Sequence, residues 1–369
     1  MMNLKSFCLA LFILLGFPLA AGAQGYILKG LILDASDGEP LPGAQVFLNQ
    51  TTIGTVTNDL GSFSLKRIPE GLQTIIIRML GYETFVIDIE FPNEDMSVIE
   101  ASLQPEIMNL NEINIEDDRP KEWLRDLQYF KDQFLGYSSN SGQVEFENPE
   151  VLDFQSERSE FIATARKPLK LINHALGYRI TYYLEEFSLK DNIIRSTGFS
   201  KYEELTTNDQ DELDRWIENR KAAYLGSYRH FIESLTNNNI YEDGFRIYYT
   251  NRKLKFYASR YDEMILEEIK NPNHLYRPTR NIHEVEFFNR SGYPYIRVEY
   301  ILERPDPMIA DRYGLSSQIN SQISWIEFPE GKAVIDLRNG NEMHPYRALL
   351  HGYWGWSSRI PDLLPGDFQ

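Results

Sequence analysis

The chain has 369 residues, 42% of them hydrophobic and 13% aromatic, and carries a formal net charge of −17. The apolar content excludes a disordered chain, and the length accommodates two or three domains. The acidic balance excludes nucleic acid as a partner and an anionic membrane face held by charge alone, because both would be repelled.

Residues 1–23 read as a signal peptide. Lys5 supplies the positive start, Phe7–Leu15 the apolar stretch, and Ala21-Gly22-Ala23 a small-residue site with cleavage before Gln24. That stretch falls well short of the ~20 residues that span a bilayer, so no transmembrane anchor is expected. The one cysteine, Cys8, lies in the segment removed. The mature chain is therefore expected to have no disulfide, thiol nucleophile or thiolate metal site. An exported, thiol-free chain suits the periplasm or the outer membrane.

Residues 24–108 read as short strands separated by turns. Tyr26–Leu33, Ala44–Asn49, Gly54–Thr57, Ser62–Leu65, Gln73–Met79 and Thr84–Phe91 are the strands, and Asp37-Gly38, Asn58–Gly61 and Pro69–Gly71 mark turns. This spacing predicts a β-sandwich. Asp34, Asp37 and Asp59 sit in its turns and are weak calcium candidates; Asx-type bonds to the turn backbone are the expected use, and no metal site is assigned.

The stretch resembles the carboxypeptidase regulatory-like domain, a transthyretin-like β-sandwich. The likeness rests on Gly30–Asp34, on GEPLPGA at Gly38–Ala44, on Gly54–Phe63, on Ile68–Gly71 and on Gly81–Glu83. It implies a non-catalytic docking or folding module. NLNEINI at residues 109–115 reads as a further strand, and similar stretches follow this domain in TonB-dependent receptors; residues 109–120 as a whole form a strand and linker.

Residues 121–369 read as one α+β domain with a mostly antiparallel sheet. KEWLRDLQYFKDQFLG, from Lys121 to Gly136, is an amphipathic helix with Trp123, Leu124, Leu127, Phe130 and Phe134 at helical spacing. A second helix is predicted from about Asp211 to Leu235, capped by Asn208 or Asp209. Strands follow at Tyr178–Phe187, Phe245–Tyr249, Lys255–Ala258, Val285–Phe288, Tyr295–Leu302, Gln322–Phe328 and Ala333–Leu337. The whole layout resembles uncharacterised exported Bacteroidota proteins, through Phe134–Gly136, Asn173–Phe187, Trp216–Phe231 and Gly352–Phe368. That resemblance implies no activity.

No catalytic residue and no cofactor is assigned. His283 and Glu286 form an H-x-x-E, but on a strand these positions face opposite sides, and His344 follows 61 residues later. HExxH, GxSxG, P-loop and GxGxxG motifs are absent from the sequence. The candidate ligand-binding residues are Trp216, Arg220, Tyr224, Arg229 and His230, which combine donors with aromatic faces, and the tail pair Trp354 and Trp356. In function the helix residues would hold an anion or a sugar, and the tail pair, if extended, would form a sugar- or peptide-stacking platform; in structure they would pin the helix to the sheet and plug the core. The expected protein is a non-enzymatic envelope component that binds a protein or glycan partner. A peptide or glycan hydrolase is the first alternative, and an accessory of the TonB-receptor system the second. A hydrolase predicts a concave pocket where polar groups, a carboxyl or imidazole among them, converge.

Overall fold

Alternation builds the first layer. In β1 (Tyr26–Asp34), Leu28 and Ile32 point inward while Ile27 and Lys29 face out. It pairs antiparallel with β4 (Ser62–Ile68) and parallel with β7 (Val98–Leu103). A second sheet runs β3 (Gly54–Val56), β2 (Gln45–Leu48), β5 (Gly71–Arg78), β6 (Phe85–Phe91). The two sheets enclose Leu28, Ile32, Val46, Leu65, Ile75, Ile77 and Ile89, the predicted sandwich. Each fully buried aliphatic side chain contributes about 1.5–3 kcal/mol. The computed structural model describes residues 25–92, 98–106, 121–157, 160–191, 193–251, 266–280, 284–315, 317–336 and 348–368. The signal segment, the strand at 109–115 and its linker, the strand at 255–258, His283 and His344 lie outside them.

The rest is mostly antiparallel sheet. Six strands form one sheet: β8 (Val144–Phe146), β9 (Leu152–Glu157), β10 (Glu160–Ala165), β11 (Leu169–Asn173), β12 (Tyr178–Lys190) and β13 (Ile193–Glu204). Helix α1 (Lys121–Leu135) covers it, burying Leu127, Phe130 and Phe134; the Phe130 ring meets Phe187 edge-on at 5.1 Å. Gly136, at φ 73°, ends the helix as the sequence predicts. A second sheet orders β14 (Phe245–Thr250), β15 (Leu266–Glu268), β18 (Tyr295–Tyr300), β19 (Gln322–Glu327) and β21 (Leu349–Gly352) as β15-β14-β18-β19-β21. A third joins β16 (Tyr276–Pro278), β17 (Glu284–Phe288) and β20 (Lys332–Asp336).

The predicted long helix is two helices. α2 spans Gln210–Tyr224, with Asp209 capping it through a bond from the Asp211 N–H. α3 spans Tyr228–Thr236, capped by Ser227, whose side chain accepts from the His230 N–H. Gly226 separates them at φ 70°, and a Cβ there would lie 2.5 Å from Gln322 Oε1 and from the Tyr300 ring. Glycine is thus required both by backbone conformation and by space. Tyr353–Ser357 forms the short helix α5, after α4 (Pro307–Arg312), so Trp354 and Trp356 diverge.

The sandwich is seated on the six-stranded sheet. Three successive residues of β5, Ile75, Ile76 and Ile77, are fully buried, so both faces of that strand are covered. Ile76 and Phe47 face outward onto Tyr183 and Phe199, and the Phe47 and Tyr183 rings stack at 5.5 Å. The Arg78 guanidinium lies over the Tyr183 ring at 4.5 Å, and Tyr183 donates its hydroxyl to Gln45 Oε1 at 2.9 Å. Backbone bonds from Gln50 N to Ser200 O and from Tyr202 N to Thr51 O fix the register.

Candidate functional site

The turn between β11 and β12 is the first construction. Asn173 Oδ1 accepts from the N–H groups of Ala175 and Leu176. The turn's carbonyls are received by one face of α2. Trp216 Nε1 donates to His174 O at 2.9 Å, Asn219 Nδ2 to Ala175 O at 2.9 Å, and Arg220 Nε to Leu176 O at 2.7 Å. Arg220 Nη2 also donates to Gly177 O, and its guanidinium lies 4.1 Å over the Tyr178 ring. Residues 216, 219 and 220 share a face because they are three and four apart. Trp216 and Arg220 are therefore committed to holding α2 on the sheet.

The break between α2 and α3 opens the second construction, a cavity of about 380 Å³. Its walls come from Ser138 and Asn140 after α1, residues 222–229, the segment 303–306, Gln322, and Tyr353 to Leu364. Tyr224 and Arg229 line it, each already engaged. Tyr224 donates its hydroxyl to Glu233 Oε2 at 2.7 Å. Arg229 donates to Glu233 Oε1 at 2.8 Å, to Pro365 O at 3.0 Å and to Phe368 O at 2.8 Å. His230 is buried behind the wall; its Nδ1 accepts from the Gly226 N–H, and burial holds the imidazole below its usual pKa, in the neutral form. Trp354, 2% exposed, plugs the core and donates Nε1–H to Gly226 O at 2.7 Å. Trp356 stacks on Tyr313 at 4.0 Å. The seven predicted residues thus divide: Tyr224 and Arg229 reach the cavity, and the other five support the frame.

The cavity holds groups that sequence reasoning missed. Gln322 is 5% exposed, yet its Oε1 finds no hydrogen-bond partner among the described residues. Asp362 Oδ1 accepts from Asn140 Nδ2 at 2.8 Å, and the hydroxyl of buried Ser138 bonds the same carboxyl. Burial pushes the Asp362 carboxyl up to about 6, and the nearby Ser138 hydroxyl and Asn140 amide pull the other way. Burial likewise raises Glu303, against the bond from Gln322 Nε2. Tyr353 is raised first by burial, against the bond its hydroxyl accepts from the Asp306 N–H at 3.2 Å. Asp306 itself is spent: it accepts from the N–H groups of Ser139, Met308 and Ile309. Of these residues only Asp306 carries a readable signal, an N-cap before Pro307 at the first helical position.

The weak calcium candidates serve their turns. Asp34 accepts from Ser36 and, at 2.7 Å, from the Tyr82 hydroxyl; these bonds hold its carboxyl below the usual carboxylate range. Asp37 accepts from the Glu39 N–H, and neighbouring Asn58 caps the turn that contains Asp59 through Leu60 and Ser62. Among the described residues no group of three or more His, Cys, Asp or Glu is arranged to hold a metal, and no helix is long and apolar enough to cross a membrane.

Comparison with known proteins bears on the sandwich. Residues 28–115 match the model of the CarboxypepD_reg-like domain family. A stretch of 77 residues is 35% identical to TonB-dependent receptor P39 of Formosa agariphila; it is 21% of this chain and 7% of the receptor. The chain therefore spans only a small part of that relative. Among solved structures, a type II cohesin–X-dockerin complex of Acetivibrio cellulolyticus is similar at 24% identity over 21% of this chain and 53% of that one, with a TM-score of 0.18. A membrane-associated protein of unknown function from Bacteroides fragilis is similar at 12% identity over 43% of this chain and 65% of that one, with a TM-score of 0.16. Scores this low carry no argument about function. The N-terminal segment of this chain, residues 28–115, carries a CarboxypepD_reg-like domain.

Proposed function

We propose that this is an exported cell-envelope protein that binds a small polar ligand in the cavity at the α2–α3 break. The sandwich is its non-catalytic module, held against the binding unit. The observation that supports this most is the nearly buried Gln322 Oε1, without a protein partner beside a cavity of about 380 Å³. Buried polar atoms in folded proteins are as a rule satisfied, and an unpaired one costs about 1–3 kcal/mol. A fold keeps such atoms where a bound molecule or its replacing water completes them. The likeness to part of a TonB-dependent receptor supports the envelope setting.

A thermal-shift screen of the mature chain against small polar compounds tests this reading. Compounds that fill the cavity raise the melting temperature of the wild type and not of the Ser138→Ala/Gln322→Leu double variant. Equal shifts in both proteins would contradict it. A second reading, hydrolysis of peptide or glycan, draws on Asp362 and Glu303, two carboxyls raised by burial in one cavity. Substrate turnover lost in Asp362→Asn would replace binding by catalysis.

A further inference from the structure

We propose that the sandwich positions one wall of the cavity: Gln50 and Thr52, in the loop between β2 and β3, hold the turn Pro365–Phe368 that Arg229 grips from the cavity side. This deepens the binding reading above and rests on it for what enters the cavity. Asp362, Leu363 and Leu364 line the cavity. The residues after them form a turn, closed by the Phe368 N–H donating to Pro365 O at 3.0 Å. At the ends of the turn, Pro365 O and Phe368 O accept from the guanidinium of Arg229, which lines the same cavity. In its middle, the Gly366 N–H donates to Gln50 O at 2.7 Å. Asp367 accepts from the Thr52 N–H at 2.9 Å and from the Thr52 hydroxyl. The closed turn carries both sets of bonds, so a shift that breaks one set strains the other.

The loop that receives the turn is held in an unfavourable shape. Gln50 has φ 60°, a left-handed conformation that residues other than glycine rarely adopt. It is kept there from both sides: its N–H donates to Ser200 O at 2.7 Å, and its carbonyl accepts from Gly366. Asn49 adds a bond from the Ser200 N–H at 3.0 Å. β13 is therefore one jaw of the grip on this loop, and the turn is the other. Release of the turn frees Gln50 on one side, and a relaxed loop no longer offers Gln50 O and Thr52 to the turn. Two arrangements follow: a closed turn on a held loop, and an open turn on a relaxed one. Gly366 is exposed and each such bond contributes little net, so opening is a local event that leaves the cores intact. A molecule packed on Asp362–Leu364 favours the closed arrangement, and by linkage a held loop favours the molecule.

Hydrogen exchange of the full mature chain tests this without a ligand, so its failure and that of the binding reading are separate results. The variants are Arg229→Met on the cavity side and Thr52→Val on the sandwich side. Each single variant is expected to speed exchange about tenfold in both segments, 49–53 and 362–368, while strand β1 and the turn at 174–177 keep wild-type rates. The double variant is expected to exchange no faster than the faster single one, because one turn is released once. Thr52→Val is close in shape to the natural residue, so it reads the turn even where Arg229→Met fails to fold. The proposal is overturned if Arg229→Met speeds 362–368 and leaves 49–53 at the wild-type rate, or if Thr52→Val leaves 362–368 unchanged. It is equally overturned if the effects of the two variants multiply, or if β1 speeds by the same factor, which marks general destabilisation.

Discussion

The sandwich and the cavity treat polar groups in opposite ways. In the sandwich, the turn side chains are consumed by the fold: Asp34 by Ser36 and Tyr82, Thr57 by Ala44 N and Leu41 O, Asn58 by Leu60 and Ser62. In the cavity, Gln322 keeps an oxygen without a partner among the described residues, and the Asp362 carboxyl is buried against Ser138 and Asn140. The first region has closed its hydrogen bonds and presents shape. The second has left one open at the cost of burying it, the mark of a surface meant for something else.

Substitutions sharpen that contrast. The largest effect is expected at Trp354, whose ring fills the core and whose N–H bonds Gly226 O. Trp354→Ala should cost about 3–5 kcal/mol, read by urea denaturation, because it opens a void and removes the bond that seats the helix break. Arg220→Met should cost about 2–3 kcal/mol, since it strips charged donors from Leu176 O and Gly177 O. Hydrogen exchange should then show faster opening of the 174–177 turn; unchanged protection would break the account of α2 as a clamp.

Asp362 gives a pH-dependent effect of opposite sign. Its carboxyl is raised from 3.8 to about 6 in the folded state, so folding favours the protonated form. The cost of ionising it is absent below pH ~4, grows as pH rises through ~6 and is constant above, up to about 3 kcal/mol. Asp362→Asn removes that cost and keeps an acceptor for Asn140. It should stabilise the free protein by about 1–3 kcal/mol at pH 7.5 and leave it unchanged near pH 4. Destabilisation at both pH values would mean that the carboxylate is structural, like those of the sandwich.

The smallest effect concerns the strap between the regions. Asp367 accepts from Thr52 N at 2.9 Å and from the Thr52 hydroxyl at 2.5 Å, and Gly366 N donates to Gln50 O at 2.7 Å. The same tail supplies the carbonyls that engage Arg229. Asp367→Ala should cost about 1 kcal/mol by thermal denaturation. If it instead uncouples the melting of the sandwich from the rest, the tail carries more of the seating than Phe47, Ile76 and Tyr183 do.

The sandwich was legible because each strand alternates and each turn carries its punctuation. α1 was legible because five aromatic or leucyl positions recur at helical spacing and Gly136 ends them. β13 was not: of its twelve residues only Ser200 and Tyr202 are buried, so a polar strand leaves no hydrophobic period to read. The α2–α3 break was missed because the aromatic stripe runs through it, while the stop signal is a lone Gly226 followed by a capping Ser227. The cavity was missed for a deeper reason. Ser138, Gln322 and Asp362 lie far apart in sequence, and no residue type encodes that they line one cavity. Arginines and tryptophans attracted attention in the sequence, yet Arg220, Trp216 and Trp354 are the residues the fold consumes.

The most direct test is a crystal structure of the mature chain soaked with the small polar compounds that raise its melting temperature. The account predicts one of them in the cavity at the α2–α3 break, with a donor within hydrogen-bond distance of Gln322 Oε1. All of them absent from the cavity at saturating concentration, with that oxygen bonded only to water, would contradict it.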